Sequence, residues 1–339
     1  MATTMQIWQF SSPVKKMEDS LTITDQVPVP SQASLRKDEM LIKVITASLN
    51  PVDYKLSEAG IIGKMMIPNP ATPGLDFCGR VVAKHSSITG FEEGQLVFGG
   101  FPSHKQLGAL AQYTVVSTAC CALLPEGIDP DDGAAVGTAA TTAYQSLMPD
   151  TLPSAANIFI NGGSGGVGTW AIQLAKAMGA KVTTTCSTKN LELCRRLGAD
   201  HVIDYTKNDV VEFLKQQGAV YDLVIDNVGN RADLYDNSHL MLKAGGTFVQ
   251  VGVGESMSLK SIASTMKKQI WPFGTPRFYF VNMKNSAEFF QVIGRWMAEG
   301  RVKPVIAAQF DWKDVPEAFR QLREGRSPGK IVVNVSQDL

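Results

Sequence analysis

The chain of 339 residues has no excess of either charge: 32 Lys and Arg balance 32 Asp and Glu, without a long basic run. Nucleic acid and anionic membrane surfaces are therefore not expected partners. No uninterrupted apolar stretch is long enough to span a bilayer, and the opening MATTMQIWQFSSPVKK lacks the apolar core of a signal peptide. A soluble, cytoplasmic protein is the expectation. Cysteine is sparse as well. Cys78, Cys120, Cys121, Cys186 and Cys194 form an odd set without CxxC spacing. That argues against a zinc knuckle or disulfide framework and for reduced, mostly buried thiols. The four histidines, His85, His104, His201 and His239, stand far apart with no ligand cluster beside them, so no metal site is expected. A G-x-S-x-G nucleophile elbow and a P-loop are also missing.

What is present falls into two patterns. Up to about Glu126 the chain reads as short strands separated by turns, at 5–10, 39–45, within 73–82, at 94–98 and at 115–116. That spacing predicts a small barrel-like β domain. Inside it, Asn50-Pro51-Val52-Asp53 reads as a helix start: an Asn cap, Pro at the first helical position and an acid in the first turn. Asn50 or Tyr54 could also face a bound substrate or nicotinamide, and the local sequence leaves both readings open.

From Asp129 the period changes. Ala134, Ala135, Ala139, Ala140, Ala143 and Leu147 recur at helical spacings, ending near Pro149. Strand-like runs at 157–160, 181–185, 202–205, 221–226 and 246–251 then alternate with helical runs at 171–178, 191–197 and 210–216. Such alternation implies a parallel sheet with crossover helices. At its head, Gly163-Ser164-Gly165-Gly166-Val167-Gly168 fits G-x-G-x-x-G between a strand and a helix. The first glycine permits a tight turn, the second lets a pyrophosphate approach the backbone, and the third lets helix and strand pack closely. The helix N-terminus adds unpaired N–H groups and a positive dipole end. The pattern predicts a dinucleotide site. Past Gly252, residues 255–280 mix Met, Trp, Phe and Pro, lining an apolar cleft or burying a long loop. Residues 287–297 read as an amphipathic helix. Strand, helix and strand follow at 305–310, 315–322 and 330–335. This closing unit is too short for a domain of its own, so the chain is expected to return and complete the first one.

An NAD site carries an acid about twenty residues past the glycine loop, where it bonds the ribose hydroxyls. Here that stretch is Thr185-Cys186-Ser187-Thr188-Lys189-Asn190, with no carboxylate. Ser187 and Thr188 can donate to a 2′-phosphate and Lys189 can neutralise it. A Ser/Thr cap opening the helix at Leu191 would look similar. The missing acid and the present base point to NADP(H).

With these residues in view, the whole chain resembles the medium-chain dehydrogenase/reductase superfamily, in its zinc-independent quinone oxidoreductase and enoyl reductase branch. The resemblance rests on Asn50-Pro51-Val52-Asp53, Pro73-Gly74-Leu75-Asp76-Phe77-Cys78-Gly79, Thr141-Thr142-Ala143-Tyr144 and the glycine loop. It continues through Leu197-Gly198-Ala199-Asp200, Asp226-Asn227-Val228-Gly229 and Gly329-Lys330-Ile331-Val332-Val333. It implies an α/β fold: a central Rossmann domain with a parallel sheet (127–275), and a GroES-like β-barrel catalytic domain formed by both chain ends (1–126 and 276–339). It puts Gly165, Gly166 and Val167 on the pyrophosphate, Ser187 and Lys189 near the 2′-phosphate, and Tyr205 near the adenosine phosphate. Asn227, Val228, Val251, Gly252 and Val253 fall where the family holds ribose and nicotinamide, and Lys330 matches a position that often touches the cofactor. Thr142, Gly163 and Thr188 complete the expected cofactor set.

Zinc-bearing members have a Cys near the Asn50 position, Gly-His-Glu where Gly74-Leu75-Asp76 stands, and another Cys near Thr138. All three ligand positions hold non-ligands here, and the Cys-rich structural zinc lobe has no counterpart between Gly94 and Ala111. Some enoyl reductases donate a proton from a tyrosine about where Ile61 stands, leaving Tyr54 or solvent as the source. The resemblance thus implies an NADPH-dependent reductase of the C=C bond in enals and enones, or of quinones. Hydride would pass from nicotinamide C4 to the β-carbon, while backbone N–H groups or ribose hydroxyls stabilise the oxyanion. The alternatives are an enoyl reductase acting in trans on a polyketide or fatty-acyl chain, and a non-catalytic, crystallin-like or regulatory NADPH-binding protein. A small-molecule substrate and a monomer or homodimer are expected.

Overall fold

The structure is a computed structural model that describes residues 3–102, 107–147, 152–229, 232–252 and 276–336. Val253, His104 and the part of 255–280 before residue 276 lie outside the described residues.

In chain order the first region carries β1 (Thr4–Gln9), α1 (Met17–Ser20), β2 (Thr22–Pro28), β3 (Glu39–Leu49), α2 (Pro51–Lys55) and α3 (Ile61–Met66). It continues with β4 (Asp76–Lys84), β5 (Leu96–Gly100), β6 (Tyr113–Ser117), β7 (Cys121–Leu123), α4 (Pro130–Ala134) and α5 (Gly137–Ser146). The strand–helix region follows: β8 (Asn157–Asn161), α6 (Gly166–Ala177), β9 (Lys181–Cys186), α7 (Leu191–Arg196), β10 (His201–Asp204) and α8 (Val210–Gln217). It ends with β11 (Tyr221–Asp226), α9 (Ala232–Asp236), β12 (Leu242–Gln250) and β13 (Arg277–Phe280). Last come α10 (Ala287–Ala298), β14 (Ile306–Asp311), α11 (Val315–Glu324) and β15 (Lys330–Asn334).

Two compact units result, Met1–Thr141 with Lys284–Leu339, and Thr142–Met283. The sequence expectation placed the boundaries at 126/127 and 275/276. At the first boundary the first unit extends further because α4 packs on β3, β4 and β5; at the second it begins later because β13 pairs with β12.

In the first unit, strands run β14-β15-β3-β4-β5-β7, with β6 also on β3. The long strand β3 is the axis of this sheet. Residues 39–43 pair with β6 and residues 46–49 with β15, while β4 follows its other edge. Register breaks between Leu41 and Ile42, and between Val44 and Thr46, mark bulges that bend the strand. The change of partner makes room for the C-terminal strand: Ile331 lies opposite Leu49 and Val332 opposite Ser48. The chain end is therefore part of this unit by backbone pairing.

The second unit is a six-stranded sheet, β10-β9-β8-β11-β12-β13, in which every pairing is parallel. Counted from β8, the order is 3-2-1-4-5-6, the doubly wound dinucleotide-binding order. Phe159, Val224, Leu234 and Phe248 anchor the core between the sheet and its helices. The order reverses between β8 and β11, so the carboxyl ends of these two strands border the crevice where ligands bind such sheets.

Candidate functional site

The three glycines of the loop have three different surroundings. A Cβ on Gly163 would overlap the Thr184 hydroxyl, and one on Gly168 would overlap backbone atoms of Gly162 and Gly163. Those two positions are closed by the fold. At Gly165 the nearest atom to an added Cβ is Gly162 O at 3.7 Å. The space over Gly165 is open, as close approach of a diphosphate requires. Gly162, at φ +81°, makes the turn out of β8. Its N–H donates to Thr185 Oγ1 at 2.8 Å, and the Gly163 N–H to Thr185 O at 2.8 Å. This turn aims α6 so that its first N–H groups, at Gly166 and Val167, have no partner in the helix's own ladder. N–H groups in this position are able to hold an anion.

Ser187, Thr188 and Lys189 follow β9, and Tyr205 follows β10, where Cys186 and Asp204 lie side by side. The Thr188 hydroxyl donates to Asp204 Oδ2 at 2.5 Å, and Thr206 Oγ1 donates to Asp204 Oδ1 at 2.7 Å. These hydroxyls hold the Asp204 carboxyl below the usual carboxylate range. The Thr188 hydroxyl thus keeps its proton and directs it at the Asp204 carboxylate. Ser187 is partly exposed, while Lys189 and Tyr205 are exposed. Asn190 is buried, and its amide donates to Ser164 Oγ at 3.0 Å, joining this corner to the glycine loop.

At the reversal of strand order, Asn161, Asp226 and Gln250 share one register row across β8, β11 and β12. Asp226 Oδ1 accepts from Asn161 Nδ2 at 2.9 Å, Val228 N at 3.0 Å and Gly229 N at 3.1 Å, which folds the chain sharply after β11. Gly252 packs against the Val228 carbonyl, leaving no room for a side chain. Within this corner both polar atoms of the Asn227 amide are buried without a hydrogen-bond partner. A buried, unpaired amide inside an otherwise satisfied network is suited to a ligand that offers both a donor and an acceptor. Val251 sits beside it at the end of β12, its N–H donating to Asp226 O at 2.9 Å. Thr142, the first residue of this unit, is buried in α5, and its carbonyl accepts from Ser146 Oγ at 2.6 Å.

The other expected residues lie in the first unit, in a closed polar cluster. Asp76 is fully buried. Its Oδ1 accepts from both the N–H and the hydroxyl of Thr138 at 2.7 Å. Its Oδ2 accepts from Asn50 Nδ2 at 2.8 Å, Ser48 Oγ at 3.2 Å and Lys330 Nζ at 3.2 Å. Lys330 Nζ also donates to Leu49 O at 3.1 Å and Asn50 Oδ1 at 2.5 Å. Asn50 caps α2 as its sequence suggests, with Asp53 Oδ2 accepting from its N–H at 2.7 Å. Burial drives the Asp53 carboxyl up to about 7, and the neighbouring Asp76 charge adds to the rise. Asn50 and Lys330 therefore have their polar atoms engaged within the fold.

Tyr54, within α2, is buried, with the Arg323 guanidinium 4.5 Å from its ring centroid. Arg323 is held by Glu18, at 2.8 and 2.7 Å, and by Glu58. Burial pushes the Tyr54 phenol up, and the cation opposes that rise. Sequence reasoning missed Asp204, Thr185, Asp226 and Thr138 as organising groups. Each has at least one partner distant in sequence, brought to it by strand register or helix packing.

Among the described residues no three His, Cys, Asp or Glu side chains converge as metal ligands. None of the five cysteines forms a disulfide, and Cys78, Cys121, Cys186 and Cys194 are buried. No helix among the described residues is long and apolar enough to cross a membrane.

Comparison with known proteins agrees with this geometry. Residues 36–126 match the alcohol dehydrogenase GroES-like domain family, and residues 197–333 match the zinc-binding dehydrogenase family. A trans-enoyl reductase of Aspergillus terreus is 40% identical over 99% of this chain and 97% of its own. An NADPH-dependent alkenal/one oxidoreductase of Arabidopsis thaliana chloroplasts is 33% identical over 93% of this chain and 76% of its own. The solved structure of a quinone oxidoreductase from Coxiella burnetii superposes with a TM-score of 0.82 at 28% identity, covering 98% of this chain and 100% of that one. A GroES-like β unit, a 3-2-1-4-5-6 parallel sheet with an open glycine loop, and full-length likeness to these reductases make the chain a nicotinamide-dependent oxidoreductase of the medium-chain dehydrogenase/reductase superfamily, in its quinone oxidoreductase and enoyl reductase branch.

Proposed function

We propose that the protein is a zinc-independent, cytoplasmic, NADPH-dependent reductase of the C=C bond in α,β-unsaturated carbonyl compounds, or of quinones. The observation that carries this reading is the partition of polar groups in the second unit. The space over Gly165, the N–H groups opening α6 and the Asn227 amide are available, while their neighbours are hydrogen-bonded within the protein. These groups fit a dinucleotide. The N–H groups of Gly166 and Val167 would hold its pyrophosphate, Ser187 and Lys189 its 2′-phosphate, and Asn227 its ribose or carboxamide. Tyr205, Val228, Val251, Gly252 and Val253 would line the rest of the seat.

When bound, the reduced nicotinamide supplies the hydride. Charge that develops on the substrate carbonyl requires preorganised donors. The Lys330 ammonium is not among them, because its three donors are occupied by Leu49, Asn50 and Asp76. The phenol of Tyr54 is made a weaker acid by burial and its ring carries Arg323, which favours water as the proton source.

Steady-state assays with NADPH and NADH against short enals, enones and benzoquinones test the proposal. Turnover of at least one class with a preference for NADPH is expected. Tight NADPH binding without turnover of any acceptor would contradict it and leave the crystallin-like or regulatory reading. The likeness to a trans-enoyl reductase favours a second reading, reduction in trans of a polyketide or fatty-acyl chain. A much higher kcat/KM for carrier-bound enoyl thioesters than for the free enones would select it.

A further inference from the structure

The polar cluster of the first unit contains its own cation. Lys330 is 3% exposed and Asp76 is fully buried, and the ammonium faces oxygen on every hydrogen bond it makes: a main-chain carbonyl, an amide oxygen and a carboxylate. An ammonium has three donors, and here all three are engaged. The arrangement is imposed by the backbone. Pairing of Ile331 with Leu49 brings Lys330 beside Leu49 and Asn50, at the point where β3 gives way to α2. Asp76 at the start of β4 and Thr138 in α5 close the cluster from the other side.

Asn50, Asp76 and Thr138 stand at or beside the positions where zinc-bearing members of the superfamily have their ligands, Asp76 directly following Leu75, which occupies the place of the His. In this chain those positions converge on a carboxylate and a lysine. The donor set does not fit zinc. It offers no thiolate and no imidazole, only hard oxygen atoms that are already bonded to protein donors.

We propose that Lys330 is the resident cation of this cluster. Its ammonium balances Asp76, orients the Asn50 amide, and closes the position to a divalent metal ion. The negative charge of Asp76 thus has a covalently attached counterion, which takes the place of a metal that is bound and lost. Matching the zinc-binding dehydrogenase family then reflects shared ancestry of the fold and not a shared ion.

The inference does not rest on the reductase reading, and its test reads melting temperature and metal content rather than turnover. The full chain, Lys330→Met and the double variant Asp76→Asn/Lys330→Met are incubated with ZnCl2 or MgCl2 at matched ionic strength. They are then desalted, analysed for metal and melted. The unchanged chain is expected to retain no stoichiometric zinc and to melt at the same temperature with and without metal. Lys330→Met is expected to melt lower by roughly 10 °C, the scale of an uncompensated buried charge in a domain of this size. The double variant, with both charges removed, is expected to recover more than half of that loss. Magnesium should raise the melting temperature of Lys330→Met, which leaves an oxygen-lined carboxylate without a counterion, but not that of the double variant. If Lys330→Met does not fold while the double variant does, the charge-balance account stands. One zinc per unchanged chain would overturn the proposal. So would a double variant that melts no higher than Lys330→Met or, like it, does not fold.

Discussion

The two units treat buried polar groups in opposite ways. In the β unit, Asp76, Asn50, Lys330, Ser48 and Thr138 bond one another within a cluster that leaves Lys330 no donor to offer a ligand. In the parallel-sheet unit, the network through Thr185, Asn161 and Asp226 is equally well bonded, yet it frames groups that are not: the Asn227 amide and the first N–H groups of α6. Closed clusters hold a fold together. Framed vacancies in hydrogen bonding are where a ligand completes the structure. On the proposed reading, cofactor binding falls to the second unit and the polar cluster of the first serves as a scaffold.

Substitutions can break that contrast in graded steps. The largest effect is expected from Gly168→Val, because its side chain would collide with Gly162 and Gly163 backbone that cannot move aside. A loss of about 3 kcal/mol or more in stability, together with loss of NADPH binding, should appear in thermal melts and fluorescence titration. Next comes a paired comparison. Asn50→Ala removes a partner from both Lys330 and Asp76 and is expected to destabilise by roughly 2–4 kcal/mol. Asn227→Ala removes an amide with no protein partner. It should leave the melting temperature unchanged and weaken NADPH binding by about tenfold. A reversed pattern would show that the closed and open assignments are exchanged.

A smaller effect concerns pH. Asp53 moves from an ordinary 3.8 to about 7 on burial, so the folded chain holds that proton more tightly than the unfolded chain. Its contribution to stability is fully present below about 3.8 and is lost as pH rises through 7. Asp53→Asn should therefore flatten the fall in melting temperature across that interval and leave the acid end unchanged. Tyr54→Phe should have the smallest effect, leaving kcat within about twofold because water returns the proton.

Much of the second unit was legible in sequence because its signals are local. The glycine loop lies on one strand–turn–helix, and the strand–helix period announces the parallel sheet. Ser187 and Lys189 follow β9 and Tyr205 follows β10, and these two strands are neighbours in register. The same register engages Thr188 with Asp204, sixteen positions away, and no pattern within either segment announces that bond. The first unit is harder to read for the same reason on a larger scale. Lys330 meets Asn50 across 280 positions through pairing of β15 with β3, so a residue expected at the cofactor is instead bonded within the β unit. Asn50 carried two readings in sequence, helix cap and ligand contact. In the structure its N–H serves the cap and its amide serves Lys330 and Asp76.

The central claim, reduction of a conjugated C=C bond with NADPH, is tested most directly by the fate of a labelled hydride. The chain is supplied with NADPH deuterated at nicotinamide C4 and a simple enone, and the product is examined by NMR. Deuterium on the β-carbon of a saturated ketone is the expected result. Deuterium on the carbinol carbon of an allylic alcohol, or no product from any enal, enone or quinone, would contradict it.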